Sequence, residues 1–426
     1  MTPRQIFLNG TILDVVGGSS QLGNLVVEDG LITHVTTADI ACGEDDVVYD
    51  CTGQTLSPGL IDCHVHLHYR DVIDVFTIEL SRSIEEATID AVYHAGKLLD
   101  YGFTTIREVG TRMAITPRVR DAVNAGMIRG PRIFSCGQII TVRGGLADHN
   151  PDHLFRDHPY LHAMSMIVTG PWEARNAVRI QAKNGVDYVK CDVSGTGFSP
   201  YAPTDRTTMS PEELDAIVTE ARAKEMAIAV HAESAKSIRM AARAGVTSVE
   251  HGVRMDEEGR DLMLENGVTL VPTLSFFMET MERGAEIGLA PAMVEAHTRD
   301  HELHCKSVQM AYDAGIPIVS GGDAGLRHFP QGSCVKEPVR YLEVTSMTPM
   351  DALRTITING AVLTGLDGIT GSVDVGKSAD LVVYATNPLD DMGVLGDSAR
   401  RLAVFKEGVH EAGTGLVAHA RVPSAA

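Results

Sequence analysis

The chain has 426 residues, of which 44% are hydrophobic and 22% charged, so it can bury a large core and wholesale disorder is excluded. Its 36 Lys and Arg stand against 56 Asp and Glu, a net charge of −20. That balance excludes nucleic acid and anionic membrane surfaces as partners, because both need a basic face, and no apolar run reaches the roughly 18 residues that would span a bilayer.

Residues 1 to 57 read as short strands joined by turns. Asn9-Gly10 within Phe7–Leu13, and Asp29-Gly30 within Asn24–Ile32, are the turn signals. From residue 58 short apolar strands alternate with helical stretches. Strands are expected at Leu60–His66, Thr104–Arg107, Arg132–Ser135, Tyr188–Val193, Ala227–Ala232, Ser248–Gly252, Thr269–Leu274 and Pro317–Gly321. Among the helices, the one after Ser210 has that serine as N-cap, Pro211 in the first turn, and Glu212 and Glu213 beside the positive helix end. This alternation predicts an α/β fold, a (β/α)8 TIM barrel. A doubly wound sheet is the runner-up, but no Gly-rich phosphate loop follows a strand. Strand patterns return at Gly371–Gly376, Ala379–Tyr384 and Arg401–Gly408. The expected organisation is a barrel over 58–366 and a small composite β-sandwich domain built from 1–57 plus 367–426.

The start of the chain has no basic segment followed by an apolar one, so no secretory signal is expected. Seven scattered cysteines form no CxxC pair. They read as reduced thiols of a cytoplasmic protein, neither a disulfide framework nor a thiolate metal site. Metal ligands, if present, must be His, carboxylate or something less usual.

Five places carry candidate chemistry. His64 and His66 lie two apart on the first barrel strand and therefore share a face. Two imidazoles at one depth need a cation or hydrogen bonds, unless they are simply packed or exposed. Lys190 sits inside the apolar fourth strand, where a lysine is rare. It snorkels, pairs with Asp192 on the same face, or is modified; Cys191 faces the other way, into the core. His231 and His251 each close an apolar strand and, singly, would read as satisfied histidines. Asp323 follows the eighth strand among glycines, where it is either a turn residue or part of the C-terminal mouth at which barrel active sites are built. Together all of these fall near the C-terminal ends of strands one, four, five, six and eight, and that coincidence is the informative signal.

With those residues in place the chain resembles the binuclear, metal-dependent branch of the amidohydrolase superfamily. The flanks agree: Ser57-Pro-Gly-Leu-Ile-Asp-Cys-His-Val-His on strand one, Gly102-Phe-Thr-Thr-Ile-Arg-Glu-Val-Gly on strand two, and Gly376-Lys-Ser-Ala-Asp-Leu-Val-Val near the end. The likeness covers nearly the whole chain and is strongest to imidazolonepropionase-like and Xaa-Pro dipeptidase-like members. The resemblance implies two divalent ions, zinc first, with manganese or cobalt as substitutes. It implies that His64, His66 and Asp323 bind one ion and His231 and His251 the other. Lys190, N-carboxylated by CO2, would bridge them. A metal-bridging hydroxide would attack the carbonyl of an amide-type C–N bond, with Asp323 as acid–base catalyst. The substrate would be a small molecule: a dipeptide, an N-acyl amino acid or a xenobiotic amide, or alternatively a cyclic amide, urea or carbamate. A deaminase of the same superfamily is a further alternative, but such members typically lack the strand-four lysine. A non-catalytic scaffold is another, but such relatives tend to lose ligands that this chain keeps. The resemblance also implies a homo-oligomer.

Two departures bear on substrate. The branch carries a Thr-Gly-Gly-His-Gly stretch after strand three, where this chain has Thr141-Val-Arg143-Gly-Gly-Leu146-Ala-Asp-His149. Leu146 stands where the histidine is expected, so His149 and Arg143 become candidate substrate contacts. Glu233 replaces a histidine often found two residues after His231. Tyr201, in the loop after strand four, is the third candidate contact. Phe276, Phe277 and Met278 after strand seven fit either an apolar ligand wall or the core face of a helix.

Overall fold

The computed structural model describes residues 3–74, 81–148, 164–199 and 201–419. Strands from both ends of the chain hydrogen-bond into one nine-stranded sheet. Thr55–Pro58 lies between Gln5–Asp14 on one side and Leu381–Tyr384 on the other. Gln5–Asp14 runs beside Val47–Asp50 along its first half and beside Thr55–Pro58 along its second, so the sheet forks there.

Asp29-Gly30 makes the expected tight turn, with φ of 47° and 79°. Asn9-Gly10 does not. Gln5–Asp14 is one continuous strand, and its register against Ser19–Glu28 shifts between Phe7 and Gly10. The pair forms a bulge: Asn9 takes φ 59°, and its N–H donates to Asn24 Oδ1 at 2.8 Å. Asn-Gly tolerates the left-handed backbone that a bulge and a turn both require, so the dipeptide alone does not separate them. Gly371–Gly376 is also not a strand but a run of bends and turns, entered and left through glycines with φ of 88° and 91°.

The middle of the chain is a mixed α/β, TIM-barrel-type fold. Leu60–Val65, Phe103–Glu108 and Arg132–Ser135 form a parallel sheet of three. Tyr188–Asp192, Ala227–Ala232, Ser248–His251 and Thr269–Val271 pair in parallel in a second. The two meet where Asp187 N–H donates to Ser135 O at 2.8 Å. On the far side the segment around Ile318 bridges Leu270, and Ala324 bridges Val65. That eighth element makes isolated bridges in place of the expected continuous strand. Gly321 explains part of this: a Cβ there would lie 2.6 Å from His64 Cβ, so the backbone is pressed against the first strand. The seventh strand stops at Val271, because Pro272 and Thr273 (φ 52°) break it and a helix starts at Leu274. Two further strands, Ile139–Val142 and Ser165–Val168, extend the second sheet. Neither is among the eight strands expected from the sequence.

Helices cover the outside. Pro211–Arg222 has the expected cap, with Ser210 and Glu213 forming a reciprocal capping box. Among the described residues no helix is long and apolar enough to cross a membrane.

Candidate metal centre

Neighbouring parallel strands bring the histidines together. His64 and His66 point the same way, and their Nε2 atoms lie 3.7 and 3.5 Å from Asp323 Oδ1. The His251 ring centroid is 5.0 Å from that of His64 and 4.6 Å from that of His231. Ligand atoms of His64, His251 and Asp323 all lie within 4.8 Å of one another. This trio crosses the division expected from the family resemblance, which assigns His251 to the other ion. Lys190 is 2% exposed and lines the same cavity. Its charge is felt at His64, His66, His231, His251 and Asp323. Among the described residues it has no salt bridge; Asp192 feels its charge without pairing with it.

Each of the four histidines has one ring nitrogen taken by an acceptor. His66 Nδ1 donates to Gly110 O at 2.7 Å. His64 Nδ1 donates to Glu250 Oε2 at 2.8 Å. His251 Nδ1 donates to Thr273 Oγ1 at 2.7 Å, and that hydroxyl in turn donates to Pro272 O. His231 is turned the other way, with Nε2 donating to Gly195 O at 3.2 Å. Burial, helped by Lys190, lowers the His66 pKa to about 4 and that of His231 to about 3, and holds His64 and His251 well below the ordinary value. The rings are therefore neutral near pH 7, and each keeps a lone pair on the nitrogen that no acceptor occupies. That is the donor set of a cation site, with outer partners fixing each tautomer. Burial pushes the Asp323 carboxyl up to about 7 against the pull of Lys190.

Backbone strain marks the same place. His251 and Asp323 have φ of 70° and 52°, conformations that cost of order 1–3 kcal/mol in a non-glycine residue and gather at functional sites. The His251 value interrupts the strand alternation, so Glu250 and His251, though consecutive, both serve the centre.

The candidate substrate contacts are placed less favourably. Tyr201 is 58% exposed and is not among the cavity-lining residues. Arg143 is exposed, with its guanidinium 3.6 Å from Asp148, and does not line the cavity. His149 lies outside the described residues. Leu146, by contrast, lines the cavity, as do Glu233, Phe276 and Phe277. Met278 packs into the core instead, so the Phe-Met run divides between wall and core.

Sequence reasoning overlooked the buried support. Glu250 accepts from Arg107 at 2.7 Å to both carboxylate oxygens, and from Ser248 Oγ at 2.6 Å, while it holds His64. Its signal was available: Ser248 and Glu250 share the interior face of their strand, and Arg107 is a charge within an apolar strand.

Residues 55–410 match the profile of the amidohydrolase family. Ochratoxinase of Aspergillus niger is 28% identical over 382 residues, covering 85% of this chain and 76% of that protein. A Xaa-Pro dipeptidase solved with bound methionine superposes with a TM-score of 0.86 at 31% identity, over 96% of this chain and 99% of that one. A prolidase complexed with N-methylphosphonate-L-proline gives 0.87 at 30% identity, with the same coverage.

Proposed function

We propose that this chain, which belongs to the amidohydrolase family, hydrolyses the amide bond of a dipeptide, an N-acyl amino acid or a xenobiotic amide by means of a two-metal centre. It is a hydrolase of carbon–nitrogen bonds in a family that generally uses metal ions. The observation that carries the finer reading is the convergence of four tautomer-fixed neutral histidines, Asp323 and the buried Lys190 on one cavity.

The donor set fits two divalent ions. His64, His66 and Asp323 would hold one, and His231 and His251 the other. Lys190 would span both as a carbamate, formed when its amine adds to CO2 and loses a proton. A buried amine with no salt bridge among the described residues supports that assignment. Mixed imidazole and carboxylate ligation favours zinc, with manganese or cobalt possible. Bound there, the ions would lower the pKa of water and polarise a carbonyl oxygen. Asp323, beside the cluster, takes the proton from the attacking water and returns it to the leaving nitrogen. Glu250, Gly110, Thr273 and Gly195 hold the four rings in one orientation throughout. Phe276, Phe277 and Met293 line the cavity and keep water from its apolar side.

We assign 58–366 to the barrel and 1–57 plus 367–426 to a composite β-sandwich. We place the chain in the cytoplasm, as a homo-oligomer acting on a small molecule; unpaired cysteines support the compartment.

The test joins metal content to turnover. The purified protein should carry about two divalent ions per chain. Lys190→Ala should lose metal and activity, with partial recovery in short carboxylic acids. A panel of Xaa-Pro dipeptides, N-acyl amino acids, lactams and aryl ureas or carbamates then identifies the bond. Turnover unaffected by chelators, in protein with under half an ion per chain, would sink the reading.

A further inference from the structure

The cavity also holds a polar side chain that the hydrolytic centre does not engage. His297, on the helix Pro291–Ala314, is 2% exposed and lines the cavity. Among the described residues neither of its ring nitrogens has a hydrogen-bond partner. The other cavity-lining histidines, His64, His66, His231 and His251, all have one. So do its buried neighbours: His304 Nε2 donates to His251 O at 3.1 Å, and His328 Nε2 meets Thr280 Oγ1 at 2.8 Å.

The surroundings of His297 are aromatic. Its ring stacks on Phe277 with centroids 4.3 Å apart and planes at 25°. It meets Phe276 and Phe198 edge to face at 5.6 and 5.7 Å. Phe277 in turn lies 5.9 Å from the His251 ring, so this box abuts the metal centre. A phenyl or leucyl side chain would fill the same space without burying unmet polar atoms. Burial among hydrocarbon lowers the imidazole pKa to about 3, so the ring is neutral and offers one N–H and one lone pair. Flat apolar walls with a single donor–acceptor complement an aromatic ring bearing one polar substituent.

We infer that His297 is a substrate-positioning residue, and that with Phe198, Phe276 and Phe277 it forms a subsite for an aromatic group carrying a hydroxyl or carbonyl, on one side of the scissile amide. The inference rests on the amide-hydrolase reading only for what happens next to the subsite; recognition itself needs no turnover.

Binding is therefore measured by calorimetry on the full-length, metal-loaded Asp323→Asn protein, with four matched pairs of probes. These are N-benzoylglycine against its 2-, 3- and 4-hydroxybenzoyl counterparts, and N-acetylphenylalanine against N-acetyltyrosine. In at least one pair the hydroxyl-bearing member should bind about 10-fold tighter. His297→Phe should bring that ratio to about one while leaving the unsubstituted member's affinity within about twofold, and His297→Gln should retain part of the preference. A readout without substitution at this position is the His297 imidazole 15N resonance, which should move with the hydroxylated probe and not with its partner. No preference in any pair, or a preference that survives His297→Phe, overturns the inference. A preference that His297→Phe abolishes, in a protein whose native form hydrolyses no amide of the panel, sinks the proposed function and leaves the subsite standing.

Discussion

At the scale of single residues the centre depends on charges that never touch a substrate. Glu250 and Arg107 are both essentially buried, and Glu250 uses one carboxylate to hold Arg107, Ser248 and His64. Removing one partner of such a pair leaves the other charge uncompensated, at about 3–5 kcal/mol. Glu250→Gln keeps the shape and removes the charge, so it should lower stability by about that amount in chemical denaturation. The same change weakens the acceptor that fixes the His64 tautomer. Metal affinity, followed by competition with a chelator, should therefore fall about 10–100-fold. A variant with wild-type stability and wild-type metal retention would contradict both roles.

At the scale of elements, loops set what strands present. The loop after Tyr188–Asp192 returns so closely on itself that a Cβ on Gly195 would lie 1.5 Å from Ala202 O. Gly195 O is also the acceptor for His231 Nε2. Gly195→Ala must therefore displace the loop and the acceptor with it. It should cut kcat/KM about 100-fold, since misplacing a reacting group by about 1 Å has that cost. Hydrogen exchange in Ala227–Ala232 should stay unchanged. Gly368→Ala, with open space around the added methyl, is the neutral control. The same division explains what could be read from sequence. His64 and His66 on one face, Lys190 in an apolar strand and His231 closing strand five follow from a period of two, which survives folding. Tyr201 and Arg143 lie in loops, where no period says which way a side chain turns, and both are exposed. His251 and Asp323 reach the centre through positive φ, which a letter other than glycine does not announce. His297 lay hidden in a long helix, Pro291–Ala314, among many other polar residues.

At the scale of the whole molecule the strand Leu381–Tyr384 belongs to two cores at once. Leu381 and Val383 pack into the core of the end sheet with Phe7, Leu25 and Phe405. Val382 and Tyr384, on the other face, pack with Leu60, Phe103 and Ala95 of the barrel side. All four are fully buried. A strand shared in this way couples the two cores, because neither can expose its half of Leu381–Tyr384 without uncovering the other. Asp380, just before it, adds a polar joint, accepting from Arg132 of the barrel at 2.8 Å and from Glu407 N–H of the end sheet at 2.9 Å. Val382→Ala removes two methyl groups from this shared layer, a loss of about 1.5–3 kcal/mol from transfer and cavity terms. If the cores are coupled, hydrogen exchange should accelerate together in Gln5–Asp14, Arg401–Lys406 and Phe103–Glu108, while kcat/KM per folded molecule at 25 °C stays at the wild-type value. Acceleration confined to the end strands, with Phe103–Glu108 as protected as before, would mean that the sheet and the barrel unfold as separate units.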